Sequence, residues 1–331
     1  MKTYDVYGIG AALVDIEYKV DDNFLQQNQV DKGLMTLVDE DRQYQLIANL
    51  GSHSQLVKRS CGGSACNTVV ATSGFGAKAF YAGKVASDEE GVFFIRDLNA
   101  AGVDFHEVGH AGGITGKCLV MITDDTERTM NTYLGVNVDL TSSDVDTQLL
   151  ANAKWLYLEG YLVTDSQRTQ VAVEAMSFAK QHGVKTSLSL SDPFVVQIFS
   201  EQLKSVIGDG MDLLFCNEEE AINFTSSSTI EQAVEALKDY AKSFVITRGA
   251  EGSLVYDGNK SIFVDGVKTK AINTNGAGDM FAGAFLYAIS VGQDYVLAAQ
   301  FANAAAALVV SQFGPRIEMP KYAKLKQQFN I

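Results

Sequence analysis

The second half of the chain repeats one unit, an apolar strand followed by a helix, and this repeat limits the possible folds more than any other feature. The predicted strands lie near residues 154–159, 185–190, 212–216 and 243–247, and the helices near 166–182, 197–207, 218–223 and 230–241. Consecutive strand–helix units form a mostly parallel sheet with helices on both faces. The sequence therefore predicts an α/β fold.

Two regions outside this repeat have a different pattern, in which apolar and polar residues alternate. One covers residues 15–59 and the other covers residues 116–133. Such alternation is typical of half-exposed strands, because successive side chains point to opposite faces. We expect the two regions to pair into one small sheet over the mouth of the core. A flap of this kind would exclude water from a reaction.

The charge of the chain argues against two classes of partner. Its 331 residues carry a formal net charge of −14. Proteins that bind nucleic acids through the phosphate backbone need a basic surface, and an acidic surface does not favour anionic membranes. We therefore expect a small-molecule ligand, with no nucleic acid and no membrane as partner.

The cysteines and the first residues indicate the cellular compartment. Four cysteines are scattered without the paired spacing of a zinc site or a disulfide framework. The N-terminus lacks the charged-then-apolar pattern of a signal peptide, and no run of about 18 apolar residues occurs. These features predict a cytoplasmic protein.

Residues 273–279, with the sequence Asn-Thr-Asn-Gly-Ala-Gly-Asp, carry the strongest chemical signal and precede an apolar run typical of a buried helix. Gly276 and Gly278 allow the backbone to approach a ligand closely, and a helix N-terminus offers unpaired N–H groups to a phosphate. Asp279 would repel that anion, so its expected role is to take a proton from a hydroxyl group that attacks the phosphate. The alternative is a glycine-rich turn that caps a core helix.

A second glycine-rich element, Gly62-Gly63-Ser64, also opens a predicted helix. Its glycines permit close approach, and Asn67 offers a donor and an acceptor to adjacent hydroxyl groups. Asp15 follows the first predicted strand, at the sheet edge where α/β proteins bind ligands. Its carboxylate can accept hydrogen bonds from two neighbouring sugar hydroxyls. Alternatively, Asp15 caps a turn and Asn67 caps a helix.

Two later segments follow strands of the repeat and would lie beside a bound nucleotide. Asn217 and Glu220 come after one strand, and Thr247 to Gly252 come after the next. Mg²⁺ keeps most of its waters and takes only one or two protein oxygens, so Asn217 and Glu220 are candidates to hold it through water. The alternative for these two residues is a helix start whose acidic side chains favour the positive end of the helix dipole.

Together these segments resemble the PfkB family, the ribokinase-like carbohydrate and nucleoside kinases, over nearly the whole chain. Each motif is weak alone, but their order and spacing are specific. In chain order the matching motifs are Gly8-x-Gly10 to Asp15, Gly62-Gly63 with Asn67, Gly83-Lys84-Val85-Ala86-x-Asp88-x-x-Gly91, Asn217-x-x-Glu220, Thr247-Arg248-Gly249-x-x-Gly252, Thr274 to Asp279, and Asn303 to Ala307.

The resemblance implies a three-layer α/β/α core with a β-sheet lid, and an enzyme that uses ATP and Mg²⁺. The implied core comprises residues 1–14, 61–104 and 137–331, and the lid comprises residues 15–60 and 105–136. Such kinases act as monomers or as homodimers in which lid strands pair, which would cover exposed sheet edges.

The resemblance also implies a role for each matching residue. Asp279 would be the catalytic base, with the amides of Gly276, Ala277 and Gly278 as an anion hole. Residues implied to hold the acceptor are Asp15, Gly62, Gly63, Ser64 and Asn67. Residues implied to bind ATP are Asn217, Thr247, Gly249, Gly252, Asn275 and Asn303, with Asn217 and Glu220 near Mg²⁺.

Within the family, the chain is most similar to adenosine kinases and their bacterial relatives. Ser64 stands where ribokinases have Lys, and the lid segment 124–135 resembles the adenosine kinase branch. This implies that Arg128 swings onto the phosphates and that Leu134 lines a base pocket, and Tyr161 is a candidate to stack on a purine. We therefore expect phosphorylation of the 5′-type hydroxyl of a nucleoside, with adenosine as the first choice. The alternative is a sugar kinase of the same family, for ribose, fructose or a keto-deoxy sugar acid.

Two functions from other classes agree less well with the residues. Gly8-Ile9-Gly10 suggests a dinucleotide-binding oxidoreductase, but Leu13 replaces the third glycine of that fingerprint. A ligand-binding protein without catalysis would not need Asp279 beside its two glycines.

Asn273 departs from the family pattern, in which most members have Asp. In ribokinases that carboxylate helps to bind an activating monovalent cation, and a neutral amide removes its charge. We predict similar activity in Na⁺ and K⁺ salts at fixed ionic strength, measured as the rate of ADP release. A several-fold stimulation by K⁺ would contradict this prediction.

Overall fold

A computed structural model describes most of the chain and contains two β-sheets. The described residues are 2–51, 54–106, 109–110, 112–125 and 127–331. Thr126 of the lid motif named above lies outside them. Every helix in the described part of the chain is too short or too polar to cross a lipid bilayer.

The strands and helices are numbered here in chain order. The strands are β1 (Tyr4–Ile9), β2 (Leu13–Lys19), β3 (Met35–Leu37), β4 (Gln55–Gly62), β5 (Ala79–Ala82), β6 (Val103–Asp104), β7 (Thr115–Ile122), β8 (Arg128–Gly135), β9 (Ala153–Glu159), β10 (Lys185–Ser189), β11 (Met211–Asn217), β12 (Ala241–Thr247), β13 (Gly252–Tyr256) and β14 (Ser261–Asp265). The α-helices are α1 (Asp22–Gln27), α2 (Glu40–Leu50), α3 (Ser64–Gly74), α4 (Glu89–Ala100), α5 (Thr147–Ala151), α6 (Ser166–Gln181), α7 (Pro193–Ile207), α8 (Glu218–Thr225), α9 (Ile230–Leu237), α10 (Ala277–Ser290), α11 (Tyr295–Val310) and α12 (Met319–Phe329).

The larger sheet has nine strands in the order β14-β13-β12-β11-β10-β9-β1-β5-β6. All neighbouring pairs from β12 to β6 run parallel, and β13 and β14 continue the sheet as antiparallel strands at one edge. This arrangement confirms the predicted α/β fold with a mostly parallel sheet.

Helices cover both faces of this sheet, which gives the predicted three layers. Leu213 and Phe215 of β11 pack with α3, α10 and α11 on one side, while Leu214 and Cys216 pack with α6, α7 and α8 on the other. Successive side chains of a strand point to opposite faces, so a strand buried on both sides is apolar throughout. This explains the short apolar runs of the repeat.

The smaller sheet joins segments that are far apart in the sequence. Its order is β3-β8-β7-β2-β4, and β2 lies between β7, to which it is parallel, and β4, to which it is antiparallel. The two alternating regions therefore do pair into one sheet. The domain bounds given above, and the action of this sheet as a lid, stay predictions.

Six elements, β3, β6, α1, α4, α5 and α12, are not predicted from the sequence. β3 is only three residues long, and α4 contains Gly91 in its first turn, which weakens the helical pattern. A side chain at Gly91 would overlap the carbonyl oxygen of Ala86, so packing requires the glycine there. The close contact between α4 and the chain that follows β5 thus outweighs the low helix propensity of glycine at this position.

Glu159, at the end of β9, ties two turns of the core together. Its Oε1 accepts a hydrogen bond from Ala11 N at 2.8 Å, and its Oε2 accepts one from Ala65 N at 2.7 Å. The carboxylate is buried, and burial raises its pKa to about 7. Gly10 is needed beside it, because any side chain there would overlap the carboxylate. The turn after β1 is therefore held against the start of α3.

We predict that Glu159→Ala lowers the free energy of unfolding by at least about 2 kcal/mol, because two buried N–H groups lose their acceptor. Urea unfolding at about pH 8, monitored by circular dichroism, measures this change. The matched control is Glu201→Ala, which removes an exposed carboxylate paired with Lys204 and should cost less than about 1 kcal/mol. Equal stability of the two variants would contradict the role of Glu159.

Candidate active site

Two cavities with a common wall open at the carboxyl ends of the parallel strands. The first cavity, of about 150 Å³, lies between the smaller sheet and the core. The second cavity, of about 430 Å³, lies over the ends of β11 and β12 and the start of α10. The residues that line both cavities are Ser64, Arg128, Ser191, Gly278 and Asp279. The two cavities therefore meet at the predicted catalytic carboxylate.

Asp279 lies in the first turn of α10 and is held by two side chains of α3. Ser64 Oγ donates to Asp279 Oδ1 at 2.7 Å, and Asn67 Nδ2 donates to Asp279 Oδ2 at 3.2 Å. Burial raises the pKa of Asp279 to about 6, against the opposing effects of these hydrogen bonds and of the Arg128 charge. The carboxylate is thus ionised at neutral pH, yet it is a stronger base than an exposed aspartate.

The turn before α10 has the backbone geometry expected of an anion site. Gly276 has a φ of +74°, and α10 begins without a side-chain cap, which leaves N-terminal amides for a ligand. A side chain at Gly276 would come within 2.5 Å of Pro315 Cβ. The Ala277 amide, however, already donates to the carbonyl oxygen of Thr274 at 3.3 Å. Of the three predicted amides, that one is engaged within the turn.

Asp15 and Asn67 lie together on the wall of the first cavity. Burial, with Glu17 as the next cause, raises the pKa of Asp15 to about 7. Among the described residues, Asn67 Oδ1 has no hydrogen-bond partner. Gly63 also lines the cavity, whereas Gly62 lies behind Asp15, where a side chain would overlap its carboxylate. Gly62, which was predicted to contact the acceptor, therefore does not line the cavity; it leaves the space that the Asp15 carboxylate occupies.

The smaller sheet closes the first cavity with apolar side chains. Its contribution comprises Leu13, Met35, Leu37, Val120, Met130 and the predicted Leu134. Tyr161 lines the opposite side, and its hydroxyl donates to Asp192 Oδ2 at 3.3 Å, which fixes the ring. Only Leu134 of this apolar wall was expected, because its other members lie on strands whose pairing is not visible in the sequence.

Arg128 reaches from β8 to the loop before α10. Its Nη1 donates to Thr274 O at 3.3 Å and to Asn275 Oδ1 at 3.4 Å. Because Arg128 lines both cavities, its charge lies where a phosphate would pass from one to the other.

The second cavity contains most of the residues assigned to ATP. They are Asn217, Thr247, Gly249, Gly252 and Asn303, and the Mg²⁺ candidate Glu220 also lines this cavity. Asn303 Nδ2 donates to Ser253 Oγ and Val264 O, so its amide is also used to hold β13 and β14. Asn275 was expected to bind ATP, but it lines the first cavity, on the side of the smaller sheet.

Asn217 and Glu220 form a capping box at the start of α8. Glu220 Oε2 accepts from Asn217 N at 2.9 Å, its Oε1 accepts from Asn217 Nδ2 at 2.7 Å, and burial raises its pKa to about 7. In the described part of the chain, no group of three or more His, Cys, Asp or Glu side chains could chelate a metal. This donor set fits Mg²⁺ held through water, for which one carboxylate suffices.

Three charged residues near the cavities are missed by sequence reasoning. Glu159 and Arg168 line the first cavity, and Glu17 is buried against the loop before α10. The strand-end rule would have found Glu159, since it terminates β9. Arg168 and Glu17 lie inside a helix and a strand, and no sequence signal marks them.

The sequence and the fold are both similar to those of known kinases. Residues 34–322 match the pfkB family carbohydrate kinase model. A 5-dehydro-2-deoxygluconokinase from Bacillus subtilis (strain 168) is 27% identical over 337 residues, which cover 98% of this chain and 96% of that protein.

Two solved structures have nearly the same fold over the full chain. A probable sugar kinase from Rhizobium etli CFN 42 has a TM-score of 0.93 at 32% identity, covering 100% of this chain and 99% of that one. An adenosine kinase from Sinorhizobium meliloti has a TM-score of 0.91 at 34% identity, covering 98% and 99%. The expected ribokinase-like fold and kinase activity are confirmed, and the chain belongs to the PfkB family of carbohydrate kinases.

Proposed function

We propose that this kinase transfers the terminal phosphate of ATP to a primary hydroxyl of a sugar or sugar acid. The observation that carries the proposal is the position of Asp279, which lines both cavities. A hydroxyl group bound in the first cavity and a triphosphate bound in the second would meet beside this carboxylate.

A sugar acceptor takes precedence over the adenosine expected from the motifs. The relative from Bacillus subtilis, similar over almost its full length, is named as a kinase of a deoxygluconate derivative. Adenosine remains the second candidate, because the apolar wall of the first cavity suits a nucleobase and the Sinorhizobium meliloti structure is an adenosine kinase.

The residues of the first cavity supply acceptors to the hydroxyl groups of a sugar. The buried carboxylate of Asp15 and the Oδ1 of Asn67, which has no partner in the part of the chain that the structure describes, each accept hydrogen bonds from vicinal hydroxyls. This contact orients the acceptor so that one primary hydroxyl faces Asp279, which gives the geometric part of catalysis.

Asp279 then acts as the general base. It takes the proton of the hydroxyl while the oxygen forms a bond to the terminal phosphorus, and the bond from that phosphorus to the ADP oxygen breaks. The amides of Gly276 and Gly278 at the start of α10 and the guanidinium of Arg128 stabilise the negative charge on the transferred group. Mg²⁺, held through water near Asn217 and Glu220, would neutralise part of the triphosphate charge.

The smaller sheet, residues 15–60 and 105–136, is proposed as the lid of the first cavity. Its apolar inner wall excludes water that would otherwise compete as acceptor for the phosphate. Asp15 and Arg128 both belong to this part of the chain, so closing the lid also completes the site.

An acceptor panel tests the proposed substrate class. ADP release would be measured with ATP, Mg²⁺ and, in turn, ribose, fructose, 5-dehydro-2-deoxygluconate and adenosine, and thermal shifts with a non-hydrolysable ATP analogue would report binding. We expect the largest kcat/KM for one of the sugars. A larger kcat/KM for adenosine would establish the second candidate, and no ADP release with any compound would contradict the proposal.

Asp279→Asn is predicted to lower kcat at least about a hundredfold, because the amide cannot take the proton, and to leave acceptor binding nearly unchanged. Coupled ADP release and thermal shift measure these two effects. The matched control is Asp239→Asn, an exposed position remote from both cavities, which should retain full activity. Full activity of Asp279→Asn would end the proposed mechanism.

The pH dependence follows from the raised pKa of Asp279, which is about 6. A general base works only when it is deprotonated, so kcat/KM should rise with pH below about 6 and then level off. The expected slope is about tenfold per pH unit on the acid side. Initial rates from about pH 5 to about pH 8 measure the profile. A flat profile, or the same acid limb in Asp279→Asn, would show that another group titrates.

A further inference from the structure

Glu17 is a buried carboxylate of the smaller sheet that contacts the loop before α10. It lies in β2 and is only 1% exposed. Its Oε1 accepts hydrogen bonds from Asn275 Nδ2 at 3.1 Å and from Asn273 Nδ2 at 3.3 Å. Neither the sequence motifs nor the roles proposed above include Glu17.

Packing alone does not explain a carboxylate at this position. Burial raises the pKa of Glu17, and the nearby backbone of Gly314 partly opposes this; among the described residues, Oε2 has no hydrogen bond of normal geometry. Lys58, which faces Glu17 across the β2–β4 pair, is the basic residue whose charge favours its ionised form. A buried charge with an unpaired oxygen costs stability, and an apolar side chain would avoid that cost.

The carboxylate of Glu17 lies beside Asn273, a neutral residue of the loop before α10. Asn273 Nδ2 donates to Glu17, while its Oδ1 accepts from Asn275 N at 2.9 Å. The negative charge next to the loop is thus present, but it comes from β2 and not from the loop itself.

Glu17 also fixes which way the amide of Asn275 points. An ionised carboxylate only accepts hydrogen bonds, so Asn275 must direct its NH₂ group toward it. The other end of the amide, Oδ1, then faces Arg128 Nη1 at 3.4 Å. Arg128 is held by the same loop through Thr274 O at 3.3 Å. The Glu17 carboxylate therefore determines in which direction the side-chain amides of Asn273 and Asn275 point, which is called the amide order below. It thereby places Asn275 Oδ1 as the acceptor for Arg128.

We propose that Glu17 is a positioning residue for phosphate transfer, which orients the segment Asn273–Asn275 and, through Asn275, the guanidinium of Arg128. This inference rests on the proposed function, in which Arg128 and the start of α10 act on the transferred phosphate. Glu17 itself touches no reacting atom. Its effect belongs to the transition state, since it places groups that stabilise developing charge.

The test separates the acceptor at position 17 from its charge. In Glu17→Leu, the amides of Asn273 and Asn275 lose the oxygen to which both of them donate, so the amide order is lost. In Glu17→Gln, the side-chain carbonyl oxygen can take the place of Oε1 and accept from both amides, so the order is kept.

We expect Glu17→Leu to lower kcat about tenfold or more, with a change of less than about threefold in KM for the acceptor, because small misplacements of charge-stabilising groups reduce the rate strongly. Glu17→Gln keeps the shared acceptor and should retain kcat to within about threefold of the wild type. Glu89→Gln, at an exposed position on α4, is the matched control and should leave kcat unchanged. An unchanged kcat in Glu17→Leu, or a Glu17→Gln variant as slow as Glu17→Leu, would overturn the inference.

A readout without activity separates this inference from the proposed function. Crystal structures of Glu17→Leu and of Glu17→Gln should show the contact between Arg128 and Asn275 lost in the first and kept in the second. If the contact persists in Glu17→Leu, Glu17 does not position Arg128, whatever the wild type phosphorylates. If the wild type releases no ADP with any acceptor, the proposed function fails, and the structures still decide the role of Glu17.

Discussion

Two backbone N–H groups, those of Ala11 and Ala65, converge on the buried carboxylate of Glu159, and the geometry of the site depends on this convergence. It fixes the turn after β1 against the first turn of α3. The turn after β1 leads to Asp15, and the first turn of α3 carries Ser64 and Asn67, whose side chains hold Asp279. A small displacement of either turn would therefore move Asp15, the proposed acceptor-binding group, relative to Asp279, the proposed base, and a misalignment of about 1 Å costs a large part of an enzyme's rate.

Carboxylates crowd around the first cavity, and their surroundings explain what kind of ligand belongs there. Burial is the main cause that raises the pKa of Asp15, Glu17, Glu159 and Asp279. Asp15, Glu159 and Asp279 line the cavity, whereas Glu17 does not, and the cations among its lining residues are Arg128 and Arg168. A ligand rich in hydroxyl groups would donate hydrogen bonds to these carboxylates. This supports the proposed sugar acceptor, even though one wall of the cavity is apolar.

The sequence predicts the core better than the site. Strands such as β11 are apolar throughout because both faces are covered, and this local pattern reveals the parallel sheet. The motif around Asp279 likewise marks its own helix start. In contrast, the contact between Glu17 and Asn273 joins residues more than two hundred positions apart, and it exists only because β2 lies in the middle of the smaller sheet. No local pattern encodes such a pair, and the same holds for Asn275, whose amide faces Arg128 and not the second cavity.

The four strand ends that connect the smaller sheet to the core lie in one row. Leu13 pairs with both Gly62 and Gly116, and Thr115 pairs with Gly135 in the same part of the sheet. If the proposed lid rotates about this row, the displacement of a residue grows with its distance from the row. A rotation of about 10° would move Arg128, at the far end of β8, by roughly 4 Å but Asp15 by only about 1 Å, at ~3.3 Å per residue. Under the proposed function, such an opening would withdraw Arg128 from the nucleotide while the contact of Asp15 with the acceptor would hardly change.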